Sequence, residues 1–205
     1  MKNIKLGLLF SFLVLSNICQ AGNQREEPLG NSVKAMMQKS ISDLASPKLI
    51  FASQVEGQAW LVEMSERLKK RLPDQSYREE FLRSVHYEAT RAGLDPQLVM
   101  GLIQVESAFK KYAVSSVGAR GYMQVMPFWV KSIGSSDQNL FHLRLNLRYG
   151  CTILRHYLDI EHGDLYRALG RYNGSLGKPQ YPNLVVGAWN RNWQYPLKKQ
   201  SIISN

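Results

Sequence analysis

Cysteine is nearly absent from this chain of 205 residues: only Cys19 and Cys151 occur, so no disulfide framework holds the fold and an ordinary hydrophobic core must do so. Cys151 is expected to be buried and inert. Acidic residues are also scarce, 16 against 26 Lys and Arg, for a net charge of +10. A surplus of that size fits nucleic acid, an anionic membrane surface or an acidic polymer. No apolar run reaches the length of a membrane span. The longest, Leu6 to Ile18, covers about half of one and follows Lys2 and Lys5, the pattern of an export signal. Residues 1–21 are therefore read as a signal peptide cleaved after Ala21, with a retained short anchor as the alternative. Ser16, Asn17 and Ile18 give Cys19 no small residue directly ahead of it, which argues against lipid attachment. A periplasmic or otherwise exported location is expected, and it argues against nucleic acid as the partner. Histidine is sparse too: His86, His142, His156 and His162 share no ligand spacing with carboxylates, so neither metal nor cofactor is expected.

Long alternating strand patterns, internal repeats and low-complexity tracts are all missing, which leaves a mostly α fold with short strands possible between Val114 and Val125. Residues 22–46 are polar, carry Gly22, Pro28 and Gly30, and read as a loose lead-in with one short helix and no function of its own. Val55, Ala59, Val62 and Leu68 recur at helical spacing from Gln54 to Leu72, and Pro73 closes that segment. Together residues 22–73 form a lead-in and helical extension, and residues 74–197 the main domain. In the latter, Phe81, Val85 and Ala89 mark one face of a helix from Gln75 to Ala92, stopped by Gly93. Asp95 caps the next helix and Pro96 opens it, where a missing N–H costs nothing. Further helices are expected over 127–133, 144–160, 164–172 and 182–195. The Lys69-Lys70-Arg71 run reads as a solvated helix face.

Counting from Pro96, Leu98, Leu102 and Glu106 fall at i, i+4 and i+8, with Val99 and Ile103 alongside, so a carboxylate extends an apolar stripe. It is the one acid between Pro96 and Ser136. Burial and the negative end of the helix dipole both push such a carboxyl upward in pKa, as a general acid requires. An ion pair with Lys110 or Arg120 is the structural alternative, and by periodicity alone it is the commoner one. Downstream, the small and glycine-rich stretch Ser115-Ser116-Val117-Gly118-Ala119-Arg120-Gly121 can bring backbone close to a ligand. Gln124 could grip an amide or hydroxyl and Met123 an apolar sugar face, although a turn packed on the core is equally consistent. Arg171-Tyr172-Asn173-Gly174 ends another helix and could present Tyr172 outward. Tyr166, Tyr172, Tyr181, Trp189 and Trp193 crowd the last third, suiting either sugar stacking or core.

Glu106-Ser107, Ser115, Gly118-Ala119-Arg120-Gly121-Tyr122-Met123-Gln124, Met126-Pro127, Asn146 with Gly150, and Tyr172-Asn173-Gly174 occur in one order and register. The combination, over about residues 76–176, resembles the lytic transglycosylase domain of the soluble type, related to goose-type lysozyme. The resemblance implies a lysozyme-like helical domain that cuts the β-1,4 bond from N-acetylmuramic acid to N-acetylglucosamine in peptidoglycan. It makes Glu106 the catalytic acid and base, places Ser115 near the reacting sugar, and puts Met123 and Gln124 in the groove with Tyr172 and Asn173 on the opposite wall. Tyr122 stands where many members have leucine, and Arg171 where alanine commonly precedes the tyrosine.

Most glycosidases flank the bond with two carboxylates. One acid suits the family's chemistry, in which the substrate's own N-acetyl group and C6 hydroxyl replace an enzyme nucleophile and water, leaving 1,6-anhydro ends. Asp137, Glu161 or Asp164 could still fold close to Glu106, so a water-using muramidase stays open. So does a non-catalytic peptidoglycan-binding or assembly protein whose residues 22–73 recruit a cell-envelope machine.

Overall fold

The computed structural model describes residues 24–43 and 45–195, so the signal-peptide reading of residues 1–21 lies outside the described residues. Eight α-helices appear among them and no strand. They are α1 (Asn31–Ile41), α2 (Gln54–Leu68), α3 (Gln75–Arg91), α4 (Pro96–Ser107), α5 (Phe128–Ile133), α6 (Leu143–Ile160), α7 (Leu165–Asn173) and α8 (Gln180–Ala188). A π-helical turn, Trp189–Trp193, continues α8. The expected strand region holds only isolated bridges, Val114 with Arg120 and Arg120 with Val125. No described helix is long and apolar enough to cross a membrane.

The caps follow local chemistry. Asp95 Oδ1 accepts from the N–H groups of Gln97 (2.6 Å) and Leu98 (3.1 Å), with Pro96 at the first helical position. Asp74 and Asp164 cap α3 and α7 through Tyr77 N and Arg167 N. These side chains satisfy N–H groups that no helix can bond internally.

Helix α4 lies at the centre, packed on α3, α8 and the π-helical turn, and nine of its twelve residues are buried. Its Gly101 faces the Trp189 backbone so closely that an added Cβ would lie 2.9 Å from Trp189 N and 3.0 Å from its Cα. Backbone cannot swing aside as a side chain can, so Gly101→Ala is expected to lower stability by about 2 kcal/mol. Urea denaturation of the variant checks this.

Two expectations needed correction. Helix α2 forms at Gln54, but Val55 and Val62 point to solvent, 79% and 59% exposed. Its buried face is Gly57, Trp60, Leu61, Met64 and Leu68, a parallel stripe with far more apolar surface. The lead-in helix α1 is docked rather than loose: Met37 and Ile41 enter the common core, and α1 packs on α5 and α6. Beside it the fully buried Glu88 of α3 pairs with Arg148 of α6 at 3.0 Å and with Arg91, while Arg148 also donates to the carbonyl of Ile41. A buried carboxylate with two cations and a carbonyl in its network links α1, α3 and α6. The Lys69-Lys70-Arg71 run is exposed, and Cys151 is a free, buried thiol whose pKa burial raises far above the ordinary value.

Candidate active site

Glu106 sits in the last turn of α4, 5% exposed. The chain then leaves the helix through two consecutive residues with left-handed backbone, Ala108 (φ 48) and Phe109 (φ 65), neither of them glycine. Such conformations persist only where the surroundings enforce them, and here they end α4 abruptly at the carboxylate. The Tyr181 hydroxyl, from the first turn of α8, donates to Glu106 Oε1. Glu106 Oε2 is buried without a hydrogen-bond partner among the described residues. Neither Lys110 nor Arg120 pairs with it, so the ion-pair alternative is excluded. Burial drives the Glu106 carboxyl from an ordinary 4.5 up to about 8, and the Tyr181 hydrogen bond moderates the rise. No other carboxylate contributes to that shift. Glu161 is held by Arg167 and Arg171, Asp164 caps α7, and Asp137 is exposed.

The loop from Ala113 to Val125 is held by its own polar groups and by Asn146 of α6. Ser115 closes a tight turn: its N–H donates to the Ala119 carbonyl and its Oγ accepts from Ala119 N, both at 3.0 Å. The Ser115 hydroxyl thus serves its own turn, not Glu106. Gly121 (φ 74) lets the fully buried Asn146 side chain approach, a space that a Cβ would fill. Asn146 then donates to the carbonyls of Arg120 (2.9 Å) and Leu140 (2.8 Å) and accepts from Met123 N (2.8 Å).

The remaining expected residues come together behind this loop. Gln124 has left-handed backbone (φ 47), and its side-chain amide donates to the carbonyls of Ala113 (3.1 Å) and Gly121 (2.9 Å). Met123 is fully buried against Gly150, where a Cβ would collide with its side chain. Tyr172 of α7 is also fully buried rather than turned outward, and its hydroxyl donates to the Met123 carbonyl at 2.7 Å. Burial and then the nearby charge of Glu106 hold the Tyr172 phenol well above its ordinary pKa, which brings this wall within electrostatic reach of the acid. Asn173 donates to Ser175 Oγ at 3.1 Å, and its buried Oδ1 has no partner among the described residues.

Tyr172 connects the two parts: its hydroxyl holds the Met123 carbonyl of the loop, and its phenol lies within electrostatic reach of Glu106. Glu106 Oε2 lacks a donor among the described residues, an arrangement that suits a ligand offering a hydroxyl or amide hydrogen. Among the described residues no cluster of three His, Cys, Asp or Glu could hold a metal ion. Tyr181 was not identified as a site residue from sequence. It lies 75 residues beyond Glu106, and among nearby aromatics nothing local distinguishes it.

Comparison with known proteins agrees with the geometry. The chain is 39% identical over 88 residues to the transglycosylase of Enterobacteria phage PRD1, covering 43% of this chain and 32% of the phage protein. It is 48% identical over 48 residues to the membrane-bound lytic murein transglycosylase C of Actinobacillus pleuropneumoniae serotype 5b, covering 23% and 13%. With the protein of the same name from Histophilus somni it shares 35% identity over 94 residues, covering 40% and 26%. The chain thus spans a third or less of the length of these relatives. Residues 83–183 match the family described as Transglycosylase SLT domain, a span that includes Glu106, the loop, Tyr172, Asn173 and Tyr181, and this part of the chain is a lysozyme-like SLT domain.

Proposed function

We propose that this chain is an exported lytic transglycosylase that cleaves the β-1,4 bond between N-acetylmuramic acid and N-acetylglucosamine in peptidoglycan and leaves 1,6-anhydromuramoyl ends. The carrying observation is a solitary buried glutamate with one oxygen held by a tyrosine and the other without a donor. A carboxyl with a pKa of about 8 is mostly protonated at neutral pH and can give its proton to the glycosidic oxygen as the bond breaks. The acetamido oxygen of the muramoyl sugar supports the resulting positive charge at C1. The Glu106 carboxylate then takes the C6 hydroxyl proton while O6 bonds to C1. One residue makes both transfers, and the protons balance.

Among the described residues no other carboxylate influences Glu106, which supports the C6 hydroxyl over enzyme-activated water as the attacking group. The names of the relatives, murein transglycosylases among them, support the substrate. In this reading Ser115 and Asn146 shape the loop, Met123, Gln124, Tyr172 and Asn173 form the groove around the reacting sugar, and the positive net charge favours an acidic wall polymer. Residues 22–73 are left for contacts with a cell-envelope machine.

Purified protein is expected to release soluble muropeptides from isolated sacculi; intact sacculi after prolonged digestion contradict the proposal. The role of Tyr181 has its own test. Tyr181→Phe removes a hydrogen bond that favours the carboxylate, so the Glu106 pKa rises further and the alkaline limit of activity moves upward. The rate falls roughly tenfold, because the carboxylate needed for the second transfer loses its donor. A pH–rate profile of the variant separates this from simple structural damage, which leaves the limb where it was.

A further inference from the structure

We propose that residues 24–29 form a self-inhibitory strap, with the Gln24 carboxamide seated among Gln124, Met126 and Trp129 where an amide of the glycan would otherwise bind. The inference rests on the reading of this groove as the glycan site.

Gln24 is only 4% exposed, whereas residues 25–28 that follow it are exposed and carry no regular structure. Its Oε1 accepts from the indole N–H of Trp129 at 3.0 Å and faces Met126 N at 3.5 Å, while its Nε2 faces the Gln124 carbonyl at 3.5 Å. Tyr172 lies close to Gln24 as well. Three of these four residues, Gln124, Met126 and Tyr172, belong to the motifs that carry the family resemblance. A primary carboxamide offers an acceptor and a donor side by side, the same pair that an acetamido group of the glycan presents. The strap therefore competes through chemistry that the substrate shares.

Closure of the site is visible at the acid itself. A general acid must come within about 3 Å of the oxygen it protonates, yet Glu106 is nearly sealed and its Oε2 touches no solvent. Some part of the cover has to move before a sugar can reach it. Residues 24–29, which through Gln24 reach the Tyr172 wall beside the acid, are lightly held. Besides Gln24, their holds are the exposed pair Glu27–Arg171 at 3.2 Å and Leu29, partly buried against the core. The π-helical turn and α8, by contrast, are fastened along α4.

The test uses the full-length chain in a Glu106→Gln background, so that binding is read without turnover, with tetra-N-acetylchitotetraose as a neutral probe in calorimetric titration. Gln24→Ala and Glu27→Lys are each expected to tighten binding by roughly three- to tenfold, the factor recovered when a closed state no longer withholds the site. Restored to Glu106, each variant digests sacculi faster by a comparable factor. Unchanged or weaker binding in both variants overturns the strap. Should Gln24→Ala melt early, Glu27→Lys decides alone, since it alters only an exposed ion pair. A parent that binds the probe while neither variant gains leaves the glycan reading standing without the strap. Tighter binding with no sacculus digestion by the active chain supports the strap and removes the catalytic reading. Absence of binding in every variant counts against both.

Discussion

Glu106→Gln is expected to lower glycan cleavage by roughly a thousandfold or more, because the one group assigned both proton transfers can then make neither. Glutamine keeps the volume and still accepts from the Tyr181 hydroxyl through its carbonyl oxygen, so the end of α4 stays in place. Circular dichroism should be unchanged while muropeptide release disappears. If Glu106 served only to anchor α8 through Tyr181, this variant would retain near-normal turnover, and the catalytic assignment would be lost.

The same substitution is expected to stabilise the protein, in a pH-dependent way that follows from the burial of the carboxyl. The native pKa is about 8 against an ordinary 4.5, so the unfolded chain releases this proton long before the folded one does. For a group whose folded pKa is raised, the contribution to stability is fully present below pH 4.5. It is lost progressively as pH rises toward 8 and stays lost above that. Each pH unit in this window costs about 1.4 kcal/mol, which amounts to about 3 kcal/mol at pH 7. Glutamine does not titrate. Wild type and variant should therefore melt together near pH 4, and the variant should melt several degrees higher at pH 7. Equal melting temperatures at both pH values would place Glu106 in a solvated setting and remove the basis for its raised pKa. The combination of lost activity and gained stability is the mark of a strained catalytic group rather than a structural one.

The alkaline limit of activity belongs to the same ionisation. Cleavage should fall as pH rises through about 8, where the acid loses the proton it must donate. His86 titrates elsewhere: burial against Phe51 and Trp60 lowers its imidazole to about 4, so it stays neutral across the working range.

Local chemistry made much of the helical frame legible. Asp95-Pro96 fixed the phase of α4 and with it the odd position of Glu106, and the Gly93 stop and the Phe81, Val85 and Ala89 face of α3 were equally readable. Helix α2 shows the limit. Two stripes compete there, Val55, Ala59 and Val62 against Trp60, Leu61 and Met64, and the second is the buried one because of what packs opposite it, of which spacing says nothing. Tyr172 failed for a related reason. A helix stop at Gly174 tells where the chain turns, but the Met123 carbonyl that draws the phenol inward lies 49 residues away.

The site divides along the same line. Glu106 was visible as a lone acid on an apolar stripe, and the glycines of the loop as close approaches, of which Gly121 against Asn146 is the clearest. Tyr181 and Gln24 were not, since each reaches the site from a distant segment and neither lies in a pattern of its own. Residues 22–46 looked functionless because they are polar and irregular. Gln24 is buried in spite of that, through bonds to Trp129 and the loop that only the folded chain creates.

Digestion of purified sacculi in heavy-oxygen water, followed by mass spectrometry of the released muropeptides, tests the central claim most directly. Attack by the C6 hydroxyl predicts 1,6-anhydromuramoyl ends free of the heavy label. Reducing ends carrying heavy oxygen at C1 would contradict it and make the domain a lysozyme-like hydrolase.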